Sequence, residues 1–242
     1  MSAGLPSDAP PGSGAMFDRI APRYDLLNRI MSLGRDRAWR RRAIDALELS
    51  PGARLLDLAT GTGDLALEAL ARHPRIEVVG LDPSPRMLAL AAAKARRAGA
   101  AGSLRLLRGD AQALPFAAAR FDAAAMAFGI RNVPDRERAL REIARVLRPG
   151  GRLAVLELGS PRGRWAGAAA RAYIRSVVPR LGALLSRAPE YRYLERSIAA
   201  FPAPESFSRT IRECGFESVQ VRPLALGACH LYRALRSREG SP

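Results

Sequence analysis

The stretch Leu55-Leu56-Asp57-Leu58-Ala59-Thr60-Gly61-Thr62-Gly63-Asp64-Leu65 limits the fold more than any other part of the chain. An apolar run carrying one carboxylate enters a turn punctuated by two glycines and continues into Leu65-Ala66-Leu67-Glu68-Ala69-Leu70. This is the pattern of a strand buried on both faces that feeds a helix. In an α/β sheet such a junction is where small molecules bind, and glycine at 61 and 63 lets a ligand lie directly against the main chain. Asp82 closes a second apolar run, Ile76 to Leu81. It follows the glycine turn by about twenty residues, the spacing at which a carboxylate meets ribose hydroxyls in such folds.

The middle of the chain repeats this unit. Strand-like runs near 54–58, 76–81, 104–108, 121–127 and 152–158 alternate with helical patterns near 63–72, 84–98 and 134–147. That alternation predicts a doubly wound parallel sheet with helices on both faces. In the last helix Leu140, Ile143, Ala144 and Leu147 recur on one face and Pro149-Gly150-Gly151 supplies the stop, so those residues are core. A closing pair of strands is expected at 216–222 and 227–235, after a helix over Ala203 to Cys214.

The flanks read differently. Residues 1–15 are rich in Pro, Gly, Ser and Ala and are expected to form a disordered tail. From 16 to 49 the pattern predicts a helical cover: Phe17 and Ile20 share one face, Pro22 opens a second short helix carrying Tyr24, Leu27 and Met31, and Gly34 ends it. A further helix is expected over Asp36 to Leu49, with Trp39 inward and Arg40, Arg41 and Arg42 mostly outward. Residues 160–202 form a tract of Ala, Leu, Ile, Tyr and Arg, interrupted by Pro179 and Pro189, that reads as a helical lid inserted over the ligand end. One domain therefore spans 16–238.

Composition narrows the setting. No apolar run is long enough for a membrane span and the first residues lack the pattern of a signal peptide, so a cytoplasmic protein is expected. Cys214 and Cys229 have no metal-ligand or redox spacing, and no metal is expected. The formal charge of +16 attracts either an anionic membrane or a nucleic acid. However, Lys94 is the sole lysine among 39 basic residues, which looks like a chain-wide composition bias, and no aromatic-basic motif supports nucleic-acid binding.

Gly61-Thr62-Gly63-Asp64-Leu65-Ala66 also fits the loose dinucleotide pattern, so the turn alone does not separate a nicotinamide cofactor from S-adenosylmethionine. Asp57 tilts the choice, because a pyrophosphate loop has no use for it whereas an amino group or a sulfonium does. Gly109-Asp110-Ala111 follows the third strand, where a carboxylate and a backbone N–H can read an adenine edge. Three acidic residues around one ligand suit a cation.

With these motifs the sequence resembles class I methyltransferases. Asp57 to Asp64, Gly109-Asp110-Ala111, Leu114-Pro115-Phe116, Phe121-Asp122, Phe128-Gly129-Ile130-Arg131-Asn132-Val133 and Arg148-Pro149-Gly150-Gly151 carry the likeness. A finer resemblance, to the ubiquinone/menaquinone biosynthesis C-methyltransferases, rests on Phe17-Asp18 to Tyr24-Asp25 with Asn28, on Tyr191-Arg192-Tyr193-Leu194 with Ser197-Ile198, and on Gly215-Phe216. It implies a Rossmann-like fold with a seven-stranded, mostly parallel sheet and S-adenosylmethionine as cofactor. Thr62 would sit in the glycine turn, Asp82 on the ribose, Asp110 and Ala111 at the adenine, and Gly61, Gly63 and Asp57 along the same pocket. Some relatives use a serine where this chain has Ala127, so that contact is absent here.

The reaction implied is methyl transfer to a ring carbon of a reduced polyprenyl quinone, with demethylmenaquinol preferred over a polyprenyl methoxybenzoquinol. Direct displacement depends on holding the two reactants in line, and the ring carbon attacks best when a neighbouring hydroxyl is ionised. Arg131 and Asn132, just after the fourth strand, are the candidates for stabilising that oxygen. The alternative is that they only tie the strand-to-helix loop. His73 and His230 read as structural, and Tyr24 either touches the ring or packs. The polyprenyl tail implies a lipid partner, and Trp165, Tyr173, Ile174, Val177 and Val178 amid arginines form a candidate membrane-facing surface.

Overall fold

Period-two alternation along the central strands sorts their side chains onto the two faces of one sheet. Leu56, Leu58, Ala124, Met126, Leu153 and Val155 enter one buried cluster, and Leu55, Ala123, Ala125, Ala154 and Leu156 enter the other. A strand buried on both sides must be apolar at nearly every position, which is why these runs were visible in the sequence. The computed structural model describes residues 14–159, 193 and 196–238. The expected tail therefore lies mostly outside the described residues. So do most of the expected lid, with its membrane-facing residues, and the side chains of Ile20, Leu27 and Met31.

Helix α1 (Gly14–Met31) and helix α2 (Asp36–Asp45) precede the first strand, β1 (Arg54–Leu58). There follow α3 (Asp64–Arg72), β2 (Glu77–Asp82), α4 (Pro85–Arg97), β3 (Leu104–Arg108), β4 (Phe121–Ala127), α5 (Arg136–Val146) and β5 (Leu147–Leu158). Among the described residues the chain closes with α6 (Pro204–Glu213), β6 (Phe216–Leu224) and β7 (Cys229–Arg236). The seven strands lie in the order β3-β2-β1-β4-β5-β7-β6. Strands β1 to β5 pair in parallel, and β7 runs antiparallel to both β5 and β6.

The strand order reverses between β1 and β4, so the crevice at their carboxyl ends is the topological switch point. Residues of α5 and α6 (Leu140, Ile143, Phe207, Ile211) pack in one cluster; residues of α2 and α3 (Trp39, Ile44, Ala66, Leu70) pack in the other. Local chemistry sets the helix starts: the Ser84 and Asp135 side chains cap α4 and α5 by accepting from the backbone N–H of Met87 and Arg138.

Four expectations change. The cover is one helix running through Pro22, not two, and α1 is anchored where Asp18 accepts from the Ser84 hydroxyl at 2.5 Å and the Arg86 N–H at 3.0 Å. Helix α2 ends at Asp45, short of Leu49. Arg40 turns inward: it pairs with Asp36, lies 3.7 Å from Asp64 and stacks 5.5 Å from the Phe128 ring centre. Finally, Pro149-Gly150-Gly151 ends α5 but also lies within β5, where the register on β4 shifts between Phe121 and Ala123. Gly150, at φ +75°, supplies the kink.

Candidate active site

The glycine turn is built from beneath by Asp57. Its buried carboxylate accepts the Thr60 hydroxyl at 2.6 Å, and burial pushes its pKa up to about 7 against the opposing pull of that bond and of Arg40. Above it, Gly61 and Gly63 take left-handed φ values of +55° and +84°. A side chain at 63 would press on Ala91 Cβ at 3.1 Å, so close packing of α4 as well as φ requires glycine there. The Gly61 N–H donates to Asp82 at 2.8 Å, and the Ser84 N–H donates to the same carboxylate at 2.9 Å. Burial raises the pKa of Asp82 too.

Thr62 faces the cover. Its hydroxyl donates to Asp25 of α1 at 2.6 Å and accepts from Lys94 at 2.8 Å. Lys94 also pairs with Asp25 at 2.5 Å and Asp64 at 2.6 Å. The chain's one lysine thus fastens α1 to the turn. Tyr24, one residue earlier, lies over Gly61, its ring 3.8 Å from where a Cβ would stand. Burial holds the Tyr24 hydroxyl above its usual pKa, with Arg131 and the nearby Asn28 amide opposing. Asp110 is exposed and accepts from the Gln112 backbone and side chain, while Ala111 is buried beside it.

The second wall comes from the exit of β4. Phe128 has φ +60°, and Gly129 packs so tightly that a Cβ would stand 2.5 Å from that of Ala59. This kink turns the Phe128 carbonyl inward, where it accepts from Arg131 Nη1 at 2.7 Å and from Asn132 Nδ2 at 3.4 Å. Arg131 Nη1 also donates to Glu157 at 2.7 Å, and the Arg131 N–H meets the other oxygen of that carboxylate at 3.1 Å. Glu157 in turn accepts the Leu158 N–H at 2.8 Å. Arg131 Nε is buried with no hydrogen-bond partner among the described residues. Burial works to lower the Arg131 pKa, but Glu157, together with Tyr24 and Tyr193, offsets it and the group is held above its ordinary value. Arg131 is a fixed cation and a donor, not a base.

The structure thus brings Gly61, Gly63, Thr62, Asp57 and Asp82 together at one turn and sets Arg131 and Asn132 across from it, with Tyr24 between. Asp110 and Ala111 stand at the exit of β3, further along the sheet edge. Sequence reasoning missed Glu157, Asp25, Lys94 and the bond from the Tyr193 hydroxyl to Asn132 Oδ1 at 2.9 Å. Glu157 carried a usable signal: like Asp57, it is a lone carboxylate in an apolar strand run.

A family model described as the ubiE/COQ5 methyltransferase family matches residues 12–236. The chain belongs to the ubiE/COQ5 methyltransferase family. Relatives agree: it is 51% identical to a demethylmenaquinone methyltransferase of Thermus thermophilus, covering 90% of this chain and 98% of that one. It is 49% identical to a ubiquinone/menaquinone biosynthesis C-methyltransferase, UbiE, of Syntrophotalea carbinolica, covering 93% and 94%. Among solved structures, a SAM-dependent methyltransferase from Thermotoga maritima superposes with a TM-score of 0.62 at 24% identity, covering 92% of this chain and 99% of that one. That match shows the fold.

Membership in the ubiE/COQ5 family brings with it a class I C-methyltransferase activity and S-adenosylmethionine as the methyl donor. The residues present fit such a ligand. Asp57 and Asp82 are buried carboxyl groups satisfied only by hydroxyl and backbone donors among the described residues, and both are held toward the neutral form. A cationic ligand above the turn would relieve that strain. No helix among the described residues is long and apolar enough to cross a membrane.

Proposed function

We propose that this protein methylates a ring carbon of a reduced polyprenyl quinone, with demethylmenaquinol as the preferred substrate. The observation that carries the reading is the buried Arg131 cation, locked by Glu157 and by the Phe128 carbonyl, whose Nε–H has no partner among the described residues. An unpaired buried donor is costly unless a ligand atom completes it. A quinol oxygen beside the attacked carbon is such an atom.

When bound, S-adenosylmethionine supplies an electrophilic methyl on a sulfonium. The chain's own residues do the rest. Gly61, Thr62 and Gly63 shape the turn against which the donor rests, Asp82 is set for the ribose hydroxyls, and Asp110 with the Ala111 N–H for the adenine edge. Asp57 keeps the turn in shape and adds negative potential when ionised. Arg131 and Asn132 hold the quinol oxygen and favour its ionised form, which pushes electron density onto the neighbouring carbon. Tyr24 shields the space between and keeps water from the methyl group. With donor and quinol bound, the ring carbon would take the methyl group with S-adenosylhomocysteine as the leaving group, and the proton displaced from that carbon would pass to solvent. Arg131, held protonated, does not take that proton.

Two features support quinol methylation over a nicotinamide-dependent oxidoreduction: the buried carboxyl of Asp57 beneath the turn, which suits a cationic methyl donor, and names of relatives such as demethylmenaquinone methyltransferase. The polyprenyl tail would bring the enzyme to an anionic bilayer surface, which flotation with anionic vesicles at low salt would detect.

The test is methyl transfer to reduced demethylmenaquinone and to a reduced polyprenyl methoxybenzoquinone, with Arg131→Lys in parallel. Lysine keeps the charge but loses the fork that serves Glu157 and the ligand together. Turnover should fall at least ~100-fold while S-adenosylhomocysteine still binds, the scale of losing one donor to a developing oxyanion. Unchanged turnover would remove Arg131 from the mechanism, and methylation of neither quinol would end the reading.

A further inference from the structure

The Asn132 side chain is held at both ends. Its nitrogen faces the Phe128 carbonyl, an acceptor that cannot donate, so the amide oxygen must point the other way. There it meets the Tyr193 hydroxyl at 2.9 Å, which must therefore be the donor. Tyr193 can serve in that role at neutral pH: burial raises its pKa, outweighing the pull of Arg131 and Arg136, and the hydroxyl keeps its proton. The bond spans 61 positions in the sequence and joins the β4 exit to the segment that follows β5.

We propose that Tyr193 is a positioning residue that fixes the orientation of the Asn132 amide, so that its nitrogen is held ready to donate to a ligand. The inference rests on the quinol reading above. Of the two Nδ2 hydrogens, one is spent weakly on Phe128 at 3.4 Å and the other is uncommitted among the described residues. The oxygen already accepts from Tyr193. Asn132 Nδ2 and the neighbouring Arg131 Nε, neither fully paired among the described residues, then form a pair of donors. Such a pair favours an oxygen that has lost its proton, because donors stabilise the charged form more than the neutral one. Specificity for the ionised quinol thus comes partly from a residue that need not touch it.

The test is a double-mutant cycle on the full-length enzyme with the reduced quinone, using Tyr193→Phe, Asn132→Ala and the double variant. Tyr193→Phe should lower kcat about tenfold, the rate equivalent of one hydrogen bond. It should leave the KM for S-adenosylmethionine and the calorimetric affinity for S-adenosylhomocysteine unchanged. The rise of kcat with pH, which reports quinol ionisation, should move to higher pH. If Tyr193 acts through Asn132, adding Tyr193→Phe to Asn132→Ala should cost nothing more.

Losses that multiply in the double variant would overturn the proposal, since Tyr193 would then act on its own. So would an unshifted pH profile, or S-adenosylhomocysteine binding weakened as much as turnover, which marks a packing role. These outcomes leave the quinol reading intact, because that reading fails only if the wild-type enzyme methylates no reduced quinone.

Discussion

The two ends of the sheet handle charge in opposite ways. At the amino ends of the parallel strands lies an open hollow of about 420 Å³ lined by residues that include Glu48, Asp122, Arg148 and Arg152. Its ion pairs, Arg152 and Arg233 with Glu48 and Arg148 with Asp122, are at least partly solvated. At the carboxyl ends, Glu157, Arg131, Asp57, Asp82, Arg40 and Asp36 are all buried. Solvated pairs contribute little and tolerate change, whereas buried ones need every partner in place. The +16 charge of the chain is therefore a poor guide to where function lies, and burial of a few charges a good one.

Removing one carboxylate from each end gives the largest contrast. Glu157→Ala strands the Arg131 guanidinium in the interior and should cost ~3–5 kcal/mol, the usual penalty for breaking a buried pair. Glu48→Ala removes the partner of two half-buried arginines at a solvated pair and should cost under ~1 kcal/mol. Urea denaturation followed by circular dichroism measures both. Equal losses would mean that the Arg131–Glu157 pair is no more constraining than a surface contact.

The same contrast governs how much could be read in advance. Strands β1, β2 and β4 were legible because burial on both faces leaves an apolar run with turn residues at its ends. Asp57 was legible as the one polar interruption in such a run, and Glu157 could have been found in the same way. The long start of β5 was not, since Arg148-Pro149-Gly150-Gly151 carries every local signal of a stop and is bridged in the sheet by the pairing of Leu147 and Arg152, on either side of it, with β4. Nor was the unbroken α1, whose anchor at Asp18 is a tertiary contact. Arg40 looked like its outward neighbours because an arginine run gives no sign of which member finds a buried carboxylate. The Thr62–Asp25–Lys94 cluster and the Tyr193–Asn132 bond depend on side chains that meet only after folding.

Buried carboxyl groups should also mark the ligand end in a pH titration. Asp57 has a pKa of about 7 in the folded protein against an ordinary 3.8. Between those values the folded state holds the extra proton, so stability falls as pH rises from about 4 to about 7 and is level above that. The slope from this one group is at most ~1.4 kcal/mol per pH unit. Asp82 acts in the same direction. Asp57→Asn, which is neutral at every pH, should remove most of this decline, as urea midpoints taken at intervals across the window would show. A wild-type protein whose stability rose with pH through that range would sink the account of Asp57.

The smallest expected effect separates stability from function. Gly52 at the amino end has φ +82° and open space around it, so Gly52→Ala should cost ~1–2 kcal/mol through the left-handed backbone alone. Gly129 at the β4 exit has an ordinary φ of −106°, but a Cβ there would meet Ala59 Cβ at 2.5 Å and Met126 Cγ at 3.2 Å. Overpacking of that kind costs ~1–3 kcal/mol, so the two variants should melt at similar temperatures. Their turnover should differ. Ala59 itself holds a positive φ of +50° and gives way poorly, so the added methyl must displace the Phe128 to Asn132 loop. That loop carries the carbonyl on which both Arg131 and Asn132 depend, and reactants misplaced by 1 Å lose rate on the order of 100-fold. Gly52→Ala should keep its methyl-transfer rate and Gly129→Ala should lose most of it. If the two variants lost activity alike, the strained exit of β4 would be a fold requirement rather than the device that aims the site.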